Sequence, residues 1–276
     1  MRLNYFLPSA RMKNLLTIHA GVSDVEEACV EVLPAMLPNL HIRVAGHSSL
    51  VFADGSQFDA PPVSLIGPTT GAYRVMLSRD SRIAVVGLLP LGWAMLVRLP
   101  AFAYADRVLD GADIWGARAA GEVVERLWAT SFDGDHVGIV EALLKRPTGA
   151  NDHLLQQIMG IDYWLERSAS LSLDALSAQV DLGDRQMRRI ALEYYGAAPK
   201  ILAMKYRALR LAAEMCEGGG LGVTLHAYAD QSHMIRDFRR FVGWTPAAFL
   251  RDHNLAAATL SGRRRAGAER PLVLWS

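Results

Sequence analysis

The sequence has few of the residues that mark most chemistries. Two cysteines in 276 residues, Cys29 and Cys216, lie far apart, so zinc and redox spacings are absent and both are expected as reduced thiols. No His-x-His pair exists, and His41 and His47 stand six residues apart, which leaves a metal site without paired ligands on one strand face. The longest charge-free apolar run, residues 83–97, falls short of the roughly 20 residues of a spanning helix and is broken by Gly87, Pro90 and Gly92. The N-terminus lacks the charged, apolar and small-residue pattern of a secretory signal. These absences predict a cytoplasmic chain with no membrane partner, metal or cofactor.

The residues of a catalytic site are missing as well. No glycine-rich phosphate loop follows a strand, and no nucleophile, base and orienter form a set. Asp54, Asp59, Asp80 and Asp106 all adjoin turn residues and are expected to do turn and cap chemistry. An enzyme whose chemistry sits in the N-terminal half would have to turn over a small molecule with residues 1–150 alone, and no motif there supports it.

What is present is a globular composition, 51% hydrophobic and 21% charged, with a formal net charge of +1. The charge is uneven: residues 1–151 carry a slight acidic excess and residues 152–265 a slight basic one. Residues 24–37 suit a short helix or an extended lead-in. From about 39 to 105, short apolar runs at 50–53, 63–66, 73–77 and 83–89 alternate with turn residues such as Asp54-Gly55, as in a small β-sandwich or barrel. Residues 99–146 turn helical, and a break at 146–149 marks a boundary. The expected organisation is α+β: an N-terminal domain over 1–148, an all-α domain over 152–255, and a flexible tail over 256–276 that includes Arg263, Arg264 and Arg265.

The helical half carries the informative pattern. Residues 152–167 should form a helix with Leu154, Leu155, Ile158, Ile161, Tyr163 and Trp164 as its apolar set. Ser172 should cap a second, with Leu173, Leu176 and Val180 buried. In the next helix Asp184 can cap the start and Gly196 the end, while Met187, Ile190, Ala191 and Tyr194 recur at i, i+3, i+4, i+7 and form a core stripe. Arg185, Arg188 and Arg189 share another face. A short helix, a turn and such a basic helix describe a helix-turn-helix. In that motif the N-terminal half of the second helix meets base edges, and arginine can donate twice to guanine.

The pattern repeats at an offset of 47 residues: Met187 with Met234, Arg189 with Arg236, Gly196 with Gly243, Pro199 with Pro246. Arg236, Arg239 and Arg240 again lie at i, i+3, i+4. Between the two runs, residues 199–217 read as one helix with Ile201, Met204, Ala208, Leu211 and Met215 inward and Lys200, Lys205, Arg207 and Arg210 outward. About 18 residues span roughly 27 Å, suited to holding two reading helices about one DNA turn, on the order of 34 Å, apart.

Residues 152–252 resemble the DNA-binding domain of the AraC/XylS family of bacterial transcription regulators. The stretches that carry this are 171–180, 185–189 with Gly196 and Pro199, and 228–250, YADQSHMIRDFRRFVGWTPAAFL. The resemblance implies two helix-turn-helix subdomains joined by a linker helix, binding double-stranded DNA. Arg185, Gln186, Arg188 and Arg189 take base-reading positions in the first, and Gln231, Ser232, His233 and Arg236 in the second. Lys200, Arg239 and Arg240 take phosphate contacts.

Two departures from the family stand out. Ala191 replaces an aromatic core residue, whose volume Tyr194 and Tyr195 are placed to refill. The glycine-rich stretch 218–227, with Ala227 where the family has Gly, predicts a short or distorted helix. An alternative is therefore a degenerate or architectural regulator in which only the first motif reads bases. Residues 86–115, with Gly87, Pro90 and Gly92, resemble the family's cupin-like sensor barrel, which implies a small-molecule effector, a homodimer, or contact with RNA polymerase. Trp93, Phe102 and Tyr104 are candidate effector-pocket residues, and they equally suit a core.

Overall fold

The computed structural model describes residues 1–144, 152–167, 171–180, 182–217, 230–251 and 255–266. The boundary expected at 146–149 and the glycine-rich stretch 218–227 lie outside them.

The first half is built on two antiparallel sheets. One has the order β1 (Arg2–Phe6), β2 (Leu16–Ser23), β9 (Arg82–Leu88), β4 (Asn39–Ala45), β7 (Val63–Ile66), β10 (Val108–Asp110). The other runs β3 (Cys29–Leu33), β8 (Tyr73–Leu77), β5 (Ser48–Val51), β6 (Gln57–Asp59). Residues 24–37 thus take the extended alternative, with β3 paired to β8. The turn at Asp54-Gly55 joins β5 to β6: Gly55 has φ +85° and Asp54 accepts from the Ser56 N–H at 2.9 Å.

Strand β9 shows why its sequence is apolar throughout. Successive side chains point to opposite faces. Ile83 and Val85 enter the space between the sheets with Leu50, Val75 and Leu77. Ala84, Val86 and Leu88 face the other way, onto Trp93, Val123, Leu127 and Val140. Both faces are covered, so neither needs polar residues. The covering helices are α1 (Gly111–Trp115), α2 (Ala117–Trp128) and α3 (His136–Leu143), with a π-helical turn at Trp93–Val97.

The second half is helical: α4 (Asp152–Arg167), α5 (Leu173–Val180), α6 (Asp184–Ile190) continuing as a π turn (Ala191–Tyr195), α7 (Pro199–Cys216), α8 (Gln231–Val242), α9 (Pro246–Arg251) and α10 (Leu255–Ala266). Its core joins Trp164, Ile190, Tyr206 and Phe238 to Ile18, Ala35 and Leu37 of the first half. Among the described residues no helix is long and apolar enough to cross a membrane.

Several expectations are corrected. Residues 255–266 are not a tail: α10 buries Ala256, Thr259 and Leu260, and its Gly262 fits against the Tyr5 ring. Leu173 and Tyr163 are exposed, because Leu176 and Leu165 take the inward positions of their helices. Lys205 is buried instead of outward, because α7 has a covered second face made of Leu202, Leu209 and Ala212.

Candidate nucleic-acid interface and effector cavity

Helix α6 starts at Gly183, which takes the N-cap position, so Asp184 sits in the first turn rather than capping it. There its charge still favours the positive helix end. Met187 and Ile190 point into the core, Arg185, Arg188 and Arg189 are exposed, and Gln186 is half-buried. The π turn then admits an extra residue, which advances the inward position by one. Tyr195, not Tyr194, therefore completes the stripe and fills the volume beside Ala191. Gly196 ends the helix at φ +78°.

Helix α8 repeats this with a better cap: the Asp230 carboxylate accepts from the Ser232 N–H at 2.8 Å. Gln231, Ser232, His233 and Arg236 are exposed along its N-terminal half, with Arg239 and Arg240 exposed behind them. Met234, Phe238 and Phe241 form the buried stripe. The Arg236 Nε donates to the Ser232 carbonyl at 3.4 Å, and the Arg240 guanidinium lies 4.9 Å from the Phe241 ring centroid. Gly243 ends the helix at φ +89°. Lys200 is exposed in the first turn of α7, whose positive end also favours an anion.

Sequence reasoning missed Lys205. Its Nζ donates to the carbonyls of Met36 at 2.8 Å and Thr69 at 3.0 Å, both in the first half. Burial pushes its ammonium down to about 7, with Asp106 opposing. A neutral amine has two hydrogens, matching the two carbonyl acceptors. The signal lay in Leu202 and Leu209, three residues before it and four after, which put Lys205 on an apolar face.

A cavity of about 70 Å³ lies between the two sheets. Its wall includes Leu33, Met36, Tyr73, Val85 and, from α10, Thr259. The Tyr73 hydroxyl donates to the Met36 sulfur at 3.6 Å. None of the three aromatics expected to line a pocket lines this cavity. Trp93 is a core residue whose Nε1 donates to the Leu99 carbonyl at 2.6 Å, Phe102 is 52% exposed, and Tyr104 packs half-buried at the edge of the core. Among the described residues no group of three His, Cys, Asp or Glu is placed to hold a metal.

Solved structures similar to this chain align with it over most of its length at low sequence identity. ToxT from Vibrio cholerae is 10% identical with a TM-score of 0.46, the match covering 90% of this chain and 97% of that one. ToxT from Vibrio cholerae bound to an unsaturated fatty acid is 9% identical with a TM-score of 0.48, covering 86% of this chain and 95% of that one. The AraC-like transcriptional activator CuxR is 13% identical with a TM-score of 0.26, covering 82% of this chain and 91% of that one. No protein-family model matches the sequence, and no curated protein matches it.

Proposed function

We propose that the protein is a sequence-specific DNA-binding transcription regulator, with a cupin-like sensor domain over 1–148 and a double helix-turn-helix domain over 152–255. The observation that carries this is the repeated basic helix. Arg185, Arg188 and Arg189 on α6, and Arg236, Arg239 and Arg240 on α8, are exposed on helices that each end in a left-handed glycine. Bases would be read by Arg185, Gln186, Arg188 and Arg189 in one major groove, and by Gln231, Ser232, His233 and Arg236 in the next. Lys200, Arg239 and Arg240 would neutralise phosphates, which gives salt-dependent affinity without sequence preference. The activity is binding, with no chemical step.

The cavity between the sheets is the effector site in this reading. At about 70 Å³ it has roughly half the volume that accepts benzene. A ligand would therefore be small and apolar, and would move a wall on entering. Met36, a flexible side chain, is the wall residue whose own carbonyl holds Lys205. Effector binding shifts DNA affinity only if it favours one arrangement of that contact. A homodimer and RNA polymerase are the protein partners this reading implies.

The test is selection of bound sequences from a random DNA pool with the full chain at stated salt. Two short blocks about one helical turn apart are expected. A single block would favour the alternative in which only α6 reads bases, and no enrichment, with or without small apolar additives, would sink the reading.

A further inference from the structure

The two basic helices do not stand free of the sheet domain. Both of their glycine ends are seated on one of its loops, Gly67–Ala72, which joins β7 to β8. At Gly196 an added Cβ would lie 2.3 Å from Pro68 Cγ. At Gly243 it would lie 2.4 Å from Val32 Cγ1 and 3.0 Å from Ala72 Cβ. The Ala72 N–H donates to the Arg240 carbonyl at 2.7 Å, and the Ala35 N–H donates to the Phe241 carbonyl at 2.7 Å. Those carbonyls belong to the last turn of α8, where helix geometry leaves acceptors without an internal donor. Between the two ends, Lys205 at the middle of α7 donates to Met36 and Thr69.

The loop is itself braced. The Thr69 N–H donates to the Met36 carbonyl at 3.1 Å, and the Met36 N–H donates to Thr69 Oγ1 at 2.6 Å. Asp106 accepts from the Thr70 N–H at 2.9 Å and from the Thr70 hydroxyl, and its own N–H donates to the Pro68 carbonyl at 3.1 Å. One stiff segment thus touches the helical half at three separate places: the end of the first basic helix, the middle of the linker helix and the end of the second basic helix. All three lie away from the exposed N-terminal halves that carry the reading residues.

We propose that the Gly67–Ala72 loop, with Ala35 and Met36, is a ruler that fixes the spacing at which α6 and α8 meet DNA. Pro68, Thr69, Ala72 and Lys205 are its positioning residues. This rests on the DNA-binding reading above. One base pair added between two binding blocks rotates the second by roughly 35° and moves it about 3.4 Å. Two helices joined only through a linker helix could follow part of that change. Two helices whose glycine ends are also each pinned to one third body cannot.

The experiment uses the full chain and the two-block site found by selection. Affinity is measured for that site and for versions with one or two base pairs inserted or removed between the blocks. Wild-type protein should lose about tenfold or more per base-pair change. Lys205→Met keeps the volume and removes both donors. It should bind the native spacing within threefold of wild type, keep the base preference of each block, and lose less than threefold on the altered spacings. Thr69→Val, which removes the acceptor for the Met36 N–H, should relax the spacing in the same direction and provides the test if Lys205→Met does not fold. Variants as strict as wild type, or a wild type indifferent to spacing, overturn the ruler while leaving DNA binding intact. A wild type that selects no DNA overturns the binding reading and the ruler with it.

Discussion

The Tyr195 hydroxyl lies 2.5 Å from the Asp162 carboxyl and 3.0 Å from the Ile158 carbonyl, two acceptors for one hydrogen. A protonated Asp162 supplies the missing donor. Burial pushes the Asp162 carboxyl up to about 8, opposed by the Tyr195 hydrogen bond and reinforced by Glu166. Its folded pKa is above its unfolded one, so between about 4 and 8 the native state holds a proton that the unfolded chain has released. Stability should therefore fall as pH rises through that window. Asp162→Asn should flatten the decline, seen as melting temperatures at pH 5.5 and 8.5 that differ less than in wild type. An unchanged slope would remove Asp162 from the account.

His136 has the opposite sign. Its ring is packed among Phe6, Phe132 and His19, and neither nitrogen has a hydrogen-bond partner among the described residues. Burial first, then the His19 charge, push it down to about 4, against Asp135 and Asp133. The unfolded chain takes up this proton near 6.5 and the native one near 4, so stability should be lost as pH falls across that interval. His136→Phe fits the aromatic surroundings and should reduce the drop in urea midpoint between pH 7 and 5. Glu141, which accepts from the Ser9 N–H at 2.8 Å and lies 3.4 Å from His19, remains to hold the neighbouring contact.

Glycines separate backbone need from free space. Gly196→Ala meets both a positive φ of 78° and Pro68 at 2.3 Å. It should cost about 1–2 kcal/mol from conformation alone, and more from the overlap. Gly121, inside α2 with nothing within 4 Å of an added Cβ, should behave oppositely. Gly121→Ala is expected to stabilise by about 0.5–1 kcal/mol. Thermal melts of the two variants check both signs.

Base reading and phosphate contact separate by salt. Arg188→Ala should cost about 1–3 kcal/mol at the selected site and relax preference at one position. Lys200→Ala should weaken all sequences alike and lower the salt slope by about 1. Binding isotherms at several salt concentrations distinguish them, and a binding motif unchanged by Arg188→Ala would refute its role.

Much of this architecture is legible in the chain. The strand runs 63–66 and 73–77 match β7 and β8, and the paired glycines at 196 and 243 end the basic helices at positive φ. Ser172 caps α5 through the Ala175 N–H at 3.1 Å. These features are local: turn chemistry, alternation and helical period act within a few residues. Tyr194 illustrates where that logic stops. A 3.6-residue period places it inward, and the π turn gives the place to Tyr195 instead, where a hydroxyl can reach Asp162 on another helix.

The grouping of the arginines on one face of each basic helix and the short apolar runs between turns were set by residue order, because each depends on neighbours one or two turns away. Which side of α7 is buried, where the cavity opens, and what holds the two basic helices depend on contacts across more than a hundred residues. Lys205 to Met36 is such a contact. A lysine among outward positions reads as solvent-facing until a second body covers it. The pattern of one helix does not say whether such a body exists, because burial is a property of the pair.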